Sequence, residues 1–143
     1  MKLKNVNPNK PVFSWMDPDT KVMTTWAAEE LAEWCKRTKQ PLSLIPINKE
    51  FAKNCRAFRG VENHRFGKFA KEGVKEPMLF LTMPDKTHLL VDGTHRYVFL
   101  AEHNAPVGMA YILQEKDWRP FVIEDYPQFD EHLLHTMHSG IKE

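Results

Sequence analysis

The sequence predicts a single α+β domain in which a small mixed sheet is packed against three to five helices. Three observations support this fold class. The length of 143 residues lies within the range of one ordinary domain. Short apolar runs of strand length alternate along the chain with segments in which apolar residues recur at helical spacing. No internal repeat or low-complexity tract interrupts this alternation.

Charge and composition limit the classes of function. The chain has 20 basic and 19 acidic residues, so it lacks the overall positive charge that drives non-specific binding to nucleic acid. No apolar run approaches the roughly 20 residues of a membrane-spanning helix, and the N-terminus does not resemble a signal peptide. We therefore expect a cytoplasmic protein with no membrane partner. Cys35 and Cys55 lie in no metal-ligand spacing, which predicts two reduced, structural cysteines.

Residues 1–40 are predicted to form an N-terminal arm and one helix that pack on the core. Three prolines among Asn, Asp and Lys in the first 23 residues favour an extended arm and turns. From about residue 25 to residue 38, apolar residues recur at helical spacing, with glutamates early and basic residues late, as the helix dipole favours. Pro41 ends this helix.

Residues 41–143 are predicted to supply the sheet and the remaining helices of the same structural domain. The predicted strands are 42–47, 78–81, 87–91, 107–113 and 121–123, and the first of these is confined to a sheet edge or strand end by Pro46. The predicted helices are 64–72, 97–103 and 127–139, whereas residues 48–61 are compatible with a short helix or a loop.

One strand-to-helix turn carries the residues best suited to chemistry. A strand that ends in Asp-Gly and passes directly into a helix brings backbone N–H groups and the positive end of the helix dipole to one point, where phosphate binds most readily. The turn Asp92-Gly93-Thr94-His95-Arg96 has this layout. Gly93 lets the backbone approach an anion, Thr94 offers a hydroxyl, and Arg96 offers paired donors. His95 could donate to an oxyanion or act as an acid or base near neutral pH.

The same turn is also compatible with a structural role. Asp92-Gly93 would then be a tight turn, Thr94 a helix N-cap, and Arg96 a solvated residue of the first turn. A strand followed by Asp-Gly and a helix is common, so the surrounding sequence has to decide between the two interpretations.

About half of the chain resembles the ParB/sulfiredoxin superfamily. In that family a helix ending in Gly precedes a strand that begins with Pro, and residues 66–80 (FGKFAKEGVKEPMLF) have the same order. A hairpin follows, and then the Gly-x-x-Arg turn of the family at a helix start, here Gly93-Thr94-His95-Arg96. The next helix and strand of the family are similar to 98–104 and 107–113, and its opening strand is similar to 42–48.

The resemblance implies that the Gly-x-x-Arg turn binds nucleotide phosphates. The superfamily includes sulfiredoxins, kinases of free serine or of modified DNA bases, CTP-binding DNA clamps and nucleases. Sulfiredoxins have a cysteine within the turn, where this chain has Thr94 and His95. The partition clamps have a second Arg-rich motif and a helix-turn-helix domain, which do not fit in the 30 residues after Leu113. The Asp-Gly-x-His-Arg form is most similar to the kinases.

The resemblance also implies which residues form the site. A polar stretch before the first helix of the family reaches the nucleotide, and Glu62-Asn63-His64-Arg65 occupies that place, although it is equally compatible with a polar loop that caps a helix. Glu62 or Glu72 could hold a metal or accept a proton, and Asp92 is the preferred carboxylate because it lies in the turn. The predicted catalytic residues are Asp92, His95, Glu62 and Glu72, and the predicted nucleotide-binding residues are Gly93, Thr94, His95, Arg96, Asn63 and Arg65.

The leading hypothesis is a phosphotransferase or nucleotide hydrolase that uses a nucleoside triphosphate or diphosphate, with ATP preferred, and Mg²⁺. The second hypothesis is a non-catalytic nucleotide- or DNA-binding module, and the third is a nuclease. A basic stretch adjoins the predicted site and could hold a nucleic acid: Lys49, Lys53, Arg56, Arg59, Arg65, Lys68 and Lys71. His132, His135 and His138 recur every three residues, but their drift around a helix favours a solvated or partner-facing helix over a zinc site.

Overall fold

The structure is a computed structural model, and it describes residues 10–123. These residues form a four-stranded mixed sheet, a separate two-stranded hairpin and five α-helices, which confirms the predicted α+β class. The strands are β1 (Phe13–Met16), β2 (Met23–Trp26), β3 (Ser43–Pro46), β4 (Met78–Thr82), β5 (His88–Asp92) and β6 (Val107–Leu113). The helices are α1 (Ala28–Arg37), α2 (Lys49–Phe58), α3 (Phe66–Glu72), α4 (Thr94–Glu102) and α5 (Glu115–Trp118), and 3₁₀ turns lie at Asn63–Arg65 and Arg119–Phe121.

An antiparallel hairpin of β1 and β2 occupies the part of the chain for which the sequence predicted an extended arm and turns. Its connection is held by Asp17, whose carboxylate accepts the backbone N–H groups of Asp19 and Thr20 at 2.8 and 3.1 Å. The buried hydroxyls of Ser14 and Thr25 hydrogen-bond to each other at 2.7 Å across the pair. Each strand is only four residues long and contains no proline. The prolines around the strands favoured the prediction of an extended arm, and the strands are too short for their alternation to oppose it.

The main sheet has the strand order β3-β6-β4-β5. β4 and β5 form the predicted antiparallel hairpin, whereas β4 runs parallel to β6 and β6 runs antiparallel to β3. Pro46 therefore lies at the end of an edge strand, as predicted. The register of the β4–β5 pair shifts between Leu79 and Phe80, opposite Asp92, so the ladder is irregular where the candidate phosphate turn begins.

Both faces of the sheet are covered, because side chains alternate along β4 between two apolar clusters. Leu79 and Leu81 pack with the hairpin and α1, in a cluster that includes Trp26. Met78 and Phe80 pack on the opposite face with residues of α2 and α4. The two layers fix α1 and α4 on opposite faces of the same strands.

Residues 48–61, which the sequence made compatible with either a short helix or a loop, contain helix α2. Asn48 caps it by accepting the backbone N–H of Phe51 at 2.8 Å, and Ala52 and Cys55 face the core. Cys35 of α1 is also buried, and neither cysteine is in a disulfide. Burial raises the pKa of the Cys35 thiol to about 12.

The predicted strand at 121–123 is wrong. Arg119–Phe121 is a 3₁₀ turn with Pro120 inside it, and only Val122 pairs, through an isolated bridge to Trp26. The proline fixes its own φ and lacks an N–H group, which favours the turn over a ladder. The predicted helix at 127–139, with its three histidines, lies outside the described residues. No helix within residues 10–123 has the length and apolar character needed to cross a membrane.

Candidate functional site

The turn from Asp92 to Arg96 has the predicted strand-to-helix geometry. β5 ends at Asp92, α4 begins at Thr94, and Gly93 between them is left-handed with φ +100°. A Cβ atom at Gly93 would lie 2.9 Å from Cγ and 3.2 Å from Cα of Met78. Glycine is therefore required both by the backbone conformation and by the close approach of β4.

This turn borders a cleft of about 860 Å³, within the size range of small-molecule sites. The cleft is also bounded by α1, by the 3₁₀ turn and α3, and by the segment that connects α3 to β4. The charged and histidine side chains that line it are Glu29, Glu33, Lys36, His64, Arg65, Lys68, Glu72, Lys75, Glu76, Asp92, His95 and Arg96. Six of the nine predicted site residues thus come together around one cavity: Arg65, Glu72, Asp92, Gly93, His95 and Arg96.

The charges of the cleft are balanced in number but unevenly distributed. Helix α1 contributes an excess of one negative charge, through Glu29, Glu33 and Lys36. The 3₁₀ turn and α3 contribute an excess of one positive charge, through Arg65, Lys68 and Glu72. Glu33 pairs with Lys10 at 2.9 Å. The wall formed by α3 and the start of α4 is the one that favours an anion.

Arg96 is anchored at one end of its guanidinium group. Its Nη1 donates to the carbonyl oxygen of Pro77 at 2.7 Å and lies 3.7 Å from Oδ2 of Asp92. A guanidinium group carries five N–H donors, so anchoring Nη1 orients the group without using all of its capacity. Arg96 is therefore held at the cleft in a defined direction.

Asp92 is a partly buried carboxylate at the same point. Burial raises the pKa of this carboxyl, and the neighbouring Arg96 and Arg65 oppose the rise. A carboxyl with a raised pKa, beside cations in a cleft, is suited to accepting a proton during a reaction. The geometry thus supplies a candidate base next to the candidate phosphate site.

His95 is 2% exposed and connects the turn to the polar stretch before α3. Its Nε2 accepts the backbone N–H of Glu62 at 3.0 Å. In a neutral imidazole this bond requires the proton to lie on Nδ1. The Glu62–His95 hydrogen bond joins two segments that the sequence analysis had connected through the family resemblance alone.

Three predicted site residues are not among those that line the cleft: Thr94, Glu62 and Asn63. The Thr94 side chain is fully buried, and its hydroxyl accepts Nη1 of Arg59 at 3.2 Å. Glu62 contributes its backbone to His95, and the exposed Asn63 begins the 3₁₀ turn. Thr94 and Glu62 thus join the segments around the site through hydrogen bonds.

Members of the basic stretch of residues 49–71 make different contacts. Arg59 donates to the carbonyl oxygen of Leu90 at 2.7 Å, and Arg56 pairs with Glu102 at 2.7 Å. Lys49 hydrogen-bonds to Asn104. Arg65 and Lys68 are the two of its seven members that line the cleft. Five of the seven members thus divide between bonds to other parts of the fold and the candidate site.

Sequence reasoning missed two parts of the cleft. It treated α1 only as packing on the core, yet Glu29 and Glu33 of this helix line the cavity. It also treated Phe69 only as an apolar residue at helical spacing, although Phe69 follows the predicted site residue Arg65 by four residues and lines the cavity with it. That spacing was the one sequence signal for its position.

Within residues 10–123, no group of three or more His, Cys, Asp or Glu side chains is arranged to hold a metal ion.

Comparisons with known proteins add no relative. No family model, curated protein or solved structure matches the chain, so the resemblance to the ParB/sulfiredoxin superfamily stays a prediction from sequence motifs.

Proposed function

We propose that this chain binds the phosphates of a nucleotide in the cleft at the start of α4 and transfers or hydrolyses the terminal phosphoryl group. One observation carries the proposal: the left-handed Gly93 turn and the guanidinium groups of Arg96 and Arg65 border the same cavity. A helix start attracts anions through its N–H groups and dipole, and arginine adds paired donors to phosphate oxygens.

The remaining side chains fit the chemistry of phosphoryl transfer. That reaction needs positive charge around the moving group and a proton acceptor for the attacking oxygen. Arg65 and Arg96 supply the charge. Asp92, with its raised pKa, accepts the proton of an attacking hydroxyl group or water while the bond between phosphorus and the leaving oxygen breaks. His95 is the candidate oxyanion donor on the same cleft.

Mg²⁺ belongs to this proposal as the partner of the nucleotide. In proteins that bind nucleotides, this ion is usually held by one or two carboxylates together with phosphate oxygens. Glu72 lines the cleft in addition to Asp92, so the chain offers a carboxylate besides the proposed base. When bound there, Mg²⁺ would neutralise charge on the phosphate oxygens.

Thermal unfolding in the presence of ATP, ADP and CTP, each with and without Mg²⁺, tests the binding step. A ligand at a hundred times its Kd adds about 2.7 kcal/mol to the free energy of unfolding, which raises the Tm visibly. We expect the shift to be lost in Arg96→Lys, because lysine cannot offer paired donors. Arg119→Lys, at a residue that does not line the cleft, should keep it. No shift with any nucleotide would contradict the proposal.

A non-catalytic nucleotide-binding module is the second candidate. The approach of Arg96 to Asp92 at 3.7 Å favours it, because the neighbouring guanidinium group opposes the rise that burial causes in the pKa of the Asp92 carboxyl and makes it a weaker proton acceptor. Release of phosphate from bound nucleotide in the presence of Mg²⁺ separates the two candidates. The catalytic proposal predicts turnover that Asp92→Asn abolishes while nucleotide affinity stays, whereas the module predicts binding without turnover. Nicking of supercoiled DNA that a chelator prevents would instead favour a nuclease.

A further inference from the structure

The cleft is much larger than a phosphate site alone requires. An inorganic phosphate is comparable in size to a few water molecules, each of which occupies about 30 Å³ in the liquid. The cavity of about 860 Å³ has the size of sites that enclose whole small molecules. Most of its volume is therefore available to a part of the ligand other than phosphate.

Phe69 is the aromatic side chain of α3 at this cavity. Arg65 of the preceding 3₁₀ turn lines the same cavity, so the ring and the cation are available to one ligand. Phe69 is half-buried. Its ring centroid is 6.3 Å from that of Phe66 and 5.4 Å from that of Phe99, and these contacts hold the ring in place.

The rest of the cavity offers further apolar surface. Ala28 and Ala32, one turn apart on α1, line it with short side chains that leave room for a flat group. Tyr111 of β6 also lines it. The cleft is therefore cationic at Arg65 and contains apolar surface beyond it, which suits an anion that carries an aromatic ring.

We propose that Phe69 is the platform on which the nucleobase of the bound nucleotide stacks, with the phosphates at Arg65 and Arg96. This inference rests on the proposed function, because it names the part of the same cleft that recognises the base. Stacking on an aromatic side chain tolerates every base, since each base has a π-face. Stacking on Phe69 would make the cleft bind a nucleotide more tightly than an inorganic polyphosphate.

Calorimetric titration of the full chain with Mg²⁺-ATP and with Mg²⁺-tripolyphosphate tests this role. We expect the wild-type chain to bind ATP about tenfold more tightly than tripolyphosphate. Phe69→Leu should remove most of that preference while its affinity for tripolyphosphate stays unchanged. Phe58→Leu is the matched control, because Phe58 is 77% exposed at the end of α2 and does not line the cleft.

Phe69→Trp provides a second measurement that does not depend on the leucine variant folding. This variant should keep the preference for ATP. Its tryptophan fluorescence should change on addition of ATP by more than that of the wild-type chain, which already has four tryptophans, and should not change on addition of tripolyphosphate. Equal wild-type affinity for both ligands would overturn the role of Phe69 and leave the phosphate site standing. Binding of neither ligand would overturn the inference together with the proposed function. Retention of the full ATP preference in a folded Phe69→Leu variant would also overturn it.

Discussion

At the level of single residues, the conformation of the Asp92–Arg96 turn depends on Gly93. Its φ of +100° disfavours any residue with a side chain, and a Cβ atom would meet Met78 at 2.9 Å. We expect Gly93→Ala to lower the free energy of unfolding by about 2–4 kcal/mol, the combined effect of left-handed strain and overpacking. Urea denaturation measures this change.

Gly67 is the matched control for this substitution. It lies in α3 without a positive φ, and a Cβ atom added to it would meet nothing within 4 Å beyond its own helix. Gly67→Ala should raise the free energy of unfolding by up to about 1 kcal/mol, because alanine favours the helix. Equal effects of the two substitutions would contradict a special role for the conformation of Gly93.

The Asp92 carboxyl predicts a distinctive dependence of stability on pH. Burial raises the pKa of this carboxyl in the folded chain above its ordinary value of 3.8. Between pH 3.8 and the folded pKa, the folded chain therefore binds more protons than the unfolded chain. The contribution of Asp92 to stability therefore falls as pH rises through its folded pKa. We expect Asp92→Asn to be more stable than the wild type near neutral pH, with the difference shrinking as the pH is lowered towards 3.8.

Asp85 provides a control of opposite sign for the pH series. Hydrogen bonds from the Thr87 hydroxyl and backbone N–H lower the pKa of the exposed Asp85 carboxyl. Its contribution is present above the unfolded pKa and is lost as pH falls through the folded value. Urea denaturation of both asparagine variants across pH should show opposite trends, and parallel trends would refute the assignment for Asp92.

At the level of secondary-structure elements, Arg59 joins three of them. Following α2, it donates to the carbonyl oxygen of Leu90 in β5 at 2.7 Å and to the Thr94 hydroxyl in α4 at 3.2 Å. Its guanidinium group also lies 5.0 Å from the ring centroid of Phe13 in β1. This arginine ties the hairpin layer to the elements that carry the candidate site.

Replacement of Arg59 should therefore lower the free energy of unfolding, and not merely remove a surface charge. We expect Arg59→Met to lower the free energy of unfolding by about 1–3 kcal/mol, because the two hydrogen bonds that Arg59 donates to Leu90 and Thr94 are lost. Lys53→Met on the exposed side of α2 is the control and should change stability by less than about 0.5 kcal/mol. Guanidinium denaturation compares them, and similar small effects would mean that Arg59 is a solvated charge.

The elements nearest the site were the most predictable from sequence. β4, β5, α4 and β6 follow local apolar patterns and clear turn residues, so their order could be deduced. The direction of the Thr94 side chain could not, because it depends on Arg59, which lies 35 residues away in sequence. The hairpin of β1 and β2 was missed because its four-residue strands are too short to show a strong alternation.

At the level of the whole molecule, the cleft forms where α1, α3 and the turn before α4 meet. Each of these segments is predictable alone, but their convergence depends on α1 covering one face of the sheet while α4 covers the other. The acidic wall from α1 and the platform of Phe69 follow from that tertiary arrangement. The predicted basic residues Arg65 and Arg96 come from segments that the sequence already connected.

We propose that nucleotide phosphate binds where these segments converge. The decisive measurement is calorimetric titration of Mg²⁺-ATP into the wild-type chain, Arg65→Ala and Lys53→Ala, since both variants remove one positive charge and, of the two residues, Arg65 alone lines the cleft. Loss of a charged hydrogen bond should weaken the affinity of Arg65→Ala about tenfold or more, whereas Lys53→Ala should bind within about twofold of the wild type. Unchanged affinity of Arg65→Ala, or an equal loss in both variants, would contradict the account.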